Sequence, residues 1–490
     1  MKLPVKPIYY FLLMLGVTLR LIPYFINRSL WLDEAMLALN IMDRDIIGLM
    51  RPLAYEQVAP VLFLFLEKVN IILFGDSEYA FRLLPLIFGI LSLPLAYRFT
   101  KAISGNTIAA LISLLFFATS PLLICFSTEL KQYESDVFCT LCLLTLGFDS
   151  QVSLEEDKRY MLLAIAGAVL IFMSNITILV LFTIGIYYLV KYRLAIFKKK
   201  WLITVFTSWI IAFIINYYFF IYSHPNQDFM LNYWKDSFMP FQAFSGGYWV
   251  WMYDKFNNGF EFYPLPFLPL FIICVIIFIV KKQWLFLYFM LFPLLMHFFI
   301  SGFKLYPFDT RLILYLNAFI IPVIAIGIVE LVQAVKKVLH SKFAVAILTI
   351  VLVWCLVSQL QISQYPVGRI TCYPEEIRES ISFINSNKSD GQKVYVYYAA
   401  GLPLSYYTKT NRVLFKNDLI PGSTDWDRTK PETCYDEVSK LHGEVWLLFS
   451  HLYPDDRDET YTLELFNLAH IPILKSFKTA GSAAYLVKIN

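Results

Sequence analysis

Charge is what this 490-residue chain has least of. Asp, Glu, Lys and Arg make up 16% of it, against 58% apolar side chains and a mean hydropathy of +0.60. Soluble domains carry about 25% charge and about 45–50% apolar residues. A soluble globule of this length has no interior large enough for that much apolar surface. A water-soluble class is therefore excluded, and a polytopic membrane protein is expected. Net charge is nearly absent too: 41 basic minus 37 acidic residues leaves +4, which removes nucleic acid as the main partner. Histidine is rare, at six residues, and the seven cysteines make no zinc module. Cys139 and Cys142 have two residues between them and no second pair nearby. With Cys125, Cys274 and Cys355 they lie in apolar stretches, where cysteine acts as a small hydrophobe. Cys372 and Cys434 fall in polar sequence and are the one pair placed to bridge in an oxidising compartment. There is no P-loop and no GxGxxG, so no nucleotide-binding domain is indicated, and no internal repeat.

What is present is a series of long uncharged runs: 8–26 (interrupted by Arg20), 83–97, 107–128, 137–148, 161–190, 201–221, 264–280, 284–303, 312–329 and 343–364. A helix needs about 20 residues to cross the hydrocarbon layer. The 161–190 run is too long for one crossing, and Asn175 and Thr177 in its middle mark a turn between two short helices. That division gives about eleven spans. Basic residues then set the orientation. With the N-terminus cytoplasmic, 16 of the 27 basic residues in 1–364 fall inside, and 16 of the 21 acidic ones fall outside. No small-residue cleavage site follows the first run, so it is read as a retained helix. The stretches 33–50 and 60–74 are amphipathic or broken by charge, and are expected to lie along the outer membrane surface.

Composition changes near Tyr365. From there to Asn490 the chain has 14 basic and 16 acidic residues, an ordinary soluble surface. Strands are expected at 392–398, 444–450 and 483–489, and helices at 374–387, 431–441 and 459–469. Alternation of this kind implies a small α/β domain, placed outside the cytoplasm by an odd number of crossings. The expected organisation is thus a transmembrane domain at 1–364 followed by a soluble extracytoplasmic α/β domain at 365–490.

The acids of the membrane region collect at one expected depth, the outer interface. Asp33 and Glu34 follow the first span, Glu56 precedes the second surface helix, and Glu129, Lys131, Tyr133, Glu134 and Asp136 cluster between the third and fourth long runs. Arg82 heads the second span, and Lys304, Asp309 and Arg311 sit on the last outer loop. Carboxylates at such a place accept protons or hold a metal, while Arg and Lys hold phosphate. Each also has a plain structural reading. Asp33 suits a helix N-cap, Glu56 is a solvated loop acid, and Glu129, Lys131 and Glu134 are spaced as helix-end charge pairs. Arg82 and Arg311 are placed to snorkel toward headgroups. Asp136 is harder to explain away, because it lies a turn into an apolar run, where charges usually face a cavity. His297 within a span reads as hydrogen-bonded packing, and the other histidines are scattered.

The order and spacing of several stretches carry a resemblance. These are LWLDEA around Trp31, Asp33 and Glu34; YEQVAP around Glu56; GDSEYAFRL ending past Arg82; Ser120-Pro121; and ELKQY around Lys131. Together they resemble the polyprenyl-phosphate-dependent glycosyltransferases of the C-type membrane fold, the superfamily of protein O-mannosyltransferases and lipid A aminoarabinose transferases. The resemblance is dense over the first 150 residues and loose as far as YPFDTR at Arg311 and the tail. It implies a membrane enzyme, in a bacterial inner membrane, that moves a sugar from a polyprenyl-phosphate carrier to an extracytoplasmic lipid, glycan or protein by an inverting displacement. Asp33 matches the family's essential first-loop aspartate, with Glu34 and Asp136 as further catalytic candidates. Glu56 matches a glutamate that takes part in metal binding in some relatives, so a divalent metal is the one cofactor implied. Relatives often carry lysine next to it. Here Gln57 stands instead, which leaves Arg82, Lys131, Tyr133, Arg311 and Gln57 as the substrate-binding set.

A multi-pass transporter or flippase for lipid-linked glycans is the alternative. Transporters place charges near the bilayer midplane, often in repeated halves, and this chain shows acids at one interface and no repeat. A sensor whose tail binds a ligand is a third reading, and it gives the first outer loop no role.

Overall fold

The computed structural model describes residues 4–148, 156–193, 200–222, 227–240, 246–260, 267–339, 375–423, 432–452 and 458–489. In chain order its helices are α1 (Val5–Ile26), α2 (Leu32–Asp43), α3 (Val61–Phe74), α4 (Glu78–Ser104), α5 (Thr107–Thr119), α6 (Pro121–Phe126) and α7 (Tyr133–Phe148). There follow α8 (Glu156–Leu170), α9 (Thr177–Tyr192), α10 (Lys200–Asn216), α11 (Gln227–Tyr233), α12 (Gly246–Gly259), α13 (Phe267–Val280), α14 (Trp284–Gly302) and α15 (Asn317–Leu339). The tail adds α16 (Ile377–Asn387), α17 (Gly401–Lys409), α18 (Glu432–Val438) and α19 (Asp458–Leu468). Among the described residues five helices are long and apolar enough to cross a membrane: Val5–Ile26, Glu78–Ser104, Lys200–Ile221, Trp284–Gly302 and Leu314–Lys336. The chain is an integral membrane protein. The expected last span, 343–364, lies outside the described residues.

Two local signals explain how the apolar runs divide. The 161–190 run is split, as Asn175 and Thr177 indicate, into α8 and α9 around a turn at 171–176. The 107–128 run is not one helix. Ser120 ends α5 and caps α6, its hydroxyl meeting the Leu123 amide at 3.5 Å, and Pro121 takes the first helical position, where its missing N–H costs nothing. At the other end of α5, Asn106 Oδ1 accepts from the amides of Ile108 and Ala109.

Two compact units emerge. The first holds 1–24, 46–67 and 82–365, and the second holds 25–45, 68–81 and 366–490. In the first, α8 and α10 pack closely because residue 167 is glycine: a Cβ there would lie 2.0 Å from Trp209 Nε1. That indole nitrogen instead donates to Leu163 O at 3.2 Å. His297 is hydrogen-bonded packing, between Tyr315 Oη at 3.1 Å and Pro307 O at 2.9 Å.

The second unit is built on a five-stranded sheet: β1 (Lys393–Val396), β2 (Leu419–Pro421), β3 (Gly443–Ser450), β4 (Ile473–Thr479) and β5 (Ser482–Ile489), in the order β2-β1-β3-β5-β4. β1 pairs in parallel with β2 and β3, while β5 runs antiparallel between β3 and β4. The three expected strands and three expected helices are present; β2, β4 and α17 are additional. β4 is an edge strand exposed along most of its length, so burial leaves little alternation in its sequence. Ile377, Ile381 and Ile384 of α16 are buried, as their i, i+4, i+7 spacing requires. Cys434 is buried in this unit, and its expected partner Cys372 lies outside the described residues. The unit also takes in α2, which packs against α17, so the second unit is larger than the composition change at Tyr365 marks.

Candidate active site

Asp33 and Glu34 open α2 in the second unit, where the helix dipole favours negative charge. Their side chains have different fates. Glu34 is fully buried, its Oε2 2.7 Å from Arg28 Nη1, and it reaches back to the Trp31 amide at 3.4 Å, as the third residue of a capping box does. This gives Glu34 an architectural role. Asp33, one residue on the other side of the turn, stays partly exposed.

A histidine and a glutamate that the sequence did not single out sit beside it. Glu375 Oε2 accepts from the Leu32 amide at 3.1 Å, and Glu375 Oε1 lies 2.5 Å from His451 Nδ1. The His451 ring stacks on Trp31, with centroids 6.5 Å apart and planes 10° from parallel. Burial pushes the Glu375 carboxyl above the ordinary carboxylate range; His451 pulls the other way, and the nearby Asp33 charge adds to the rise.

The other candidates belong to the first unit. Lys131 is buried, and its ammonium donates to Gln57 Oε1 at 2.6 Å. Gln57 ends a strained loop: Tyr55 and Glu56 both adopt left-handed backbone, φ 60° and 52°. So the cation that residue 57 itself lacks is delivered there by Lys131. Glu134 is wholly buried with Arg20 as its electrostatic partner, which corrects the reading of Glu134 as a helix-end pair with Lys131. Arg20 Nη1 and Nη2 donate to the carbonyls of Gly16 and Phe117, and neither Glu134 oxygen has a hydrogen-bond partner among the described residues. Asp136 is 4% exposed, with Ser174 as its neighbour and the phenols of Tyr306 and Tyr315 within electrostatic reach. Its Oδ1 likewise has no hydrogen-bond partner among the described residues. Buried carboxylates left this way are rare in settled cores.

Tyr133 is buried with its ring edge-on to Phe126. Arg82 is buried rather than snorkelling. Arg311 is also mostly buried, with its guanidinium 4.9 Å from the Trp234 ring centroid and Nη2 3.4 Å from Tyr233 Oη. The aromatic segment around 222–262 therefore holds a cation. Glu56 is half-buried, and no group of three or more His, Cys, Asp or Glu side chains among the described residues is arranged to hold a metal. No step below runs through a metal.

Comparison with known proteins bears on the fold. The profile of the dolichyl-phosphate-mannose-protein mannosyltransferase family matches residues 58–219. No curated protein matches the chain. Among solved structures, ArnT from Cupriavidus metallidurans bound to undecaprenyl phosphate is similar over 96% of this chain and 97% of its own, with a TM-score of 0.53 and 15% identity. Its apo form gives a TM-score of 0.52 and 14% identity over the same shares. The Archaeoglobus fulgidus oligosaccharyltransferase in its apo form is similar over 99% of this chain and 74% of its own, with a TM-score of 0.53 and 10% identity. The chain has the C-type membrane glycosyltransferase fold: a polytopic helical body with a C-terminal α/β domain.

Proposed function

We propose that this protein is an integral membrane glycosyltransferase that moves one sugar from a polyprenyl-phosphate carrier to an acceptor outside the cytoplasm. The observation that carries this reading is the Lys131–Gln57 contact, a buried ammonium delivered to a strained loop within the C-type fold. The undecaprenyl phosphate bound to the ArnT structure supports a lipid-phosphate donor here. The distribution of basic residues supports a cytoplasmic N-terminus and a site on the outer face.

The chemistry follows from the residue types. The acceptor hydroxyl attacks the anomeric carbon as the bond to the carrier phosphate breaks, through an oxocarbenium-like state. Asp33 takes the hydroxyl proton. The electron pair leaves with the phosphate, whose growing charge Lys131, Arg82 and Arg311 neutralise. A single displacement inverts the anomeric centre. Asp136 is a further carboxylate of the site, while Glu134 answers Arg20.

The test uses the full chain in proteoliposomes with radiolabelled undecaprenyl-phosphate sugars and host membrane extract. Label is expected to pass to the acceptor with release of undecaprenyl phosphate. Asp33→Asn is expected to slow this by about 10²–10⁴-fold, the usual worth of a general base. Full transfer by a well-expressed Asp33→Asn removes Asp33 from the mechanism. Label that crosses the vesicle with no covalent product makes the protein a transporter instead.

A further inference from the structure

The segment that leads into α2 contributes almost none of its own hydrogen-bond partners. Ser29 N donates to Glu376 Oε2 at 3.1 Å, Leu30 N to Tyr407 Oη at 3.0 Å, and Leu32 N to Glu375 Oε2 at 3.1 Å. The Ser29 hydroxyl donates to Glu376 as well, at 2.9 Å, and accepts from Arg378 N at 3.2 Å. Three of four successive amides are thus held by side chains more than 340 residues away, and the fourth, Trp31 N, by Glu34. A helix start leaves its first amides without intrahelical partners, and they are ordinarily met by a cap residue of the same segment. Here Trp31, at the cap position, offers no accepting side chain.

The Glu375 end of this clamp has a support of its own. His451 holds Glu375 Oε1, packs flat on Trp31, and does so from a left-handed backbone, φ 65°, just past the end of β3. Histidine is among the few non-glycine residues that adopt this conformation readily. The groups that face Glu375 are His451, Asp33 and the Leu32 amide.

We infer that Glu375 and His451 are positioning residues for sugar transfer: they fix the backbone at Leu32 and so aim the carboxylate of Asp33. The α/β tail then sets the orientation of the proton acceptor. This rests on the proposed function, since it gives Asp33 the proton.

Four variants of the full chain test it: Glu375→Ala, Glu375→Gln, His451→Ala and His451→Asn. Each is followed by amide hydrogen exchange over 29–34, thermal stability and transfer kinetics. Glutamine still accepts from Leu32 N–H and donates toward His451; asparagine tolerates the left-handed backbone and still donates to Glu375. The alanine variants are expected to lose protection at 29–32 and about 10–100-fold in kcat, the size of a small misplacement, with the donor KM unchanged. The glutamine and asparagine variants are expected to stay within about threefold of wild type in kcat and to keep their protection. Loss of activity in Glu375→Gln with protection intact overturns positioning in favour of a charge effect. Alanine variants that lose protection yet transfer normally, or that keep protection, overturn it too. If wild type moves no sugar, the proposed function falls, and the exchange arm alone decides whether the clamp exists.

Discussion

Buried carboxylates in the two units are treated in opposite ways. In the second unit each is saturated. Glu34 holds Arg28 and the Trp31 amide; Glu375 holds His451 and the Leu32 amide. Glu78, fully buried, takes Arg412 on both oxygens at 2.5 and 2.9 Å, Arg378 at 2.9 Å and Tyr407 at 3.2 Å. In the first unit Glu134 has an electrostatic partner but no hydrogen bond among the described residues, and one oxygen of Asp136 is in the same state. A saturated buried charge is architecture. An unsaturated one costs stability and is kept where something else is gained.

The contrast can be broken by mutation. Asp136→Asn is expected to cut transfer by about 10²-fold, the lower range for a lost site carboxylate, while leaving the melting temperature level or raised, because a costly buried charge is gone. A lower melting temperature with normal transfer would make Asp136 architectural. Glu78→Gln should do the reverse. Removing the shared acceptor of two arginines is expected to destabilise by about 2 kcal/mol, discounted from the fully buried case because both arginines are partly exposed. Denaturant titration of the tail's circular dichroism reads this directly. Gly167→Ala probes packing alone: overpacking against Trp209 is expected to cost about 1–3 kcal/mol with no change in KM, measured by detergent thermal stability. The smallest effect lies at Asp418. Hydrogen bonds from Lys388 and then Lys393 hold its carboxyl below the usual range. A lowered native pKa contributes stability that is present above about pH 4, the unfolded value, and lost as pH falls through the native one. Asp418→Asn should flatten that acid limb of the stability curve slightly, and an unchanged limb would show the pairs to be inert.

Much of the fold was legible because its signals are local. Apolar run length marks spans, Asn175 and Thr177 mark the turn after α8, and the spacing of Ile377, Ile381 and Ile384 marks α16. Ser120-Pro121 looked like a family motif and proves to be a cap and a helix start. Asp33, Asp136 and Lys131 were accessible to sequence reading because charge beside an apolar run stands out. Arg311 was found for the same reason, but its aromatic partners Tyr233 and Trp234 were not assigned to it.

The amino-acid sequence by itself determined the membrane class, the positions of most helices and the α/β character of the tail. Each of these depends on hydrophobicity or propensity summed over neighbours in the chain. Tertiary structure decided the rest: that Arg20 answers Glu134, that Lys131 reaches residue 57, that Glu34 is walled in, and that Glu375 and His451 hold the start of α2. Those pairings join residues 74 to more than 340 positions apart, or opposite faces of one turn. A hydrogen bond a few ångströms long leaves no periodicity in sequence, so only the folded chain shows which donor meets which acceptor.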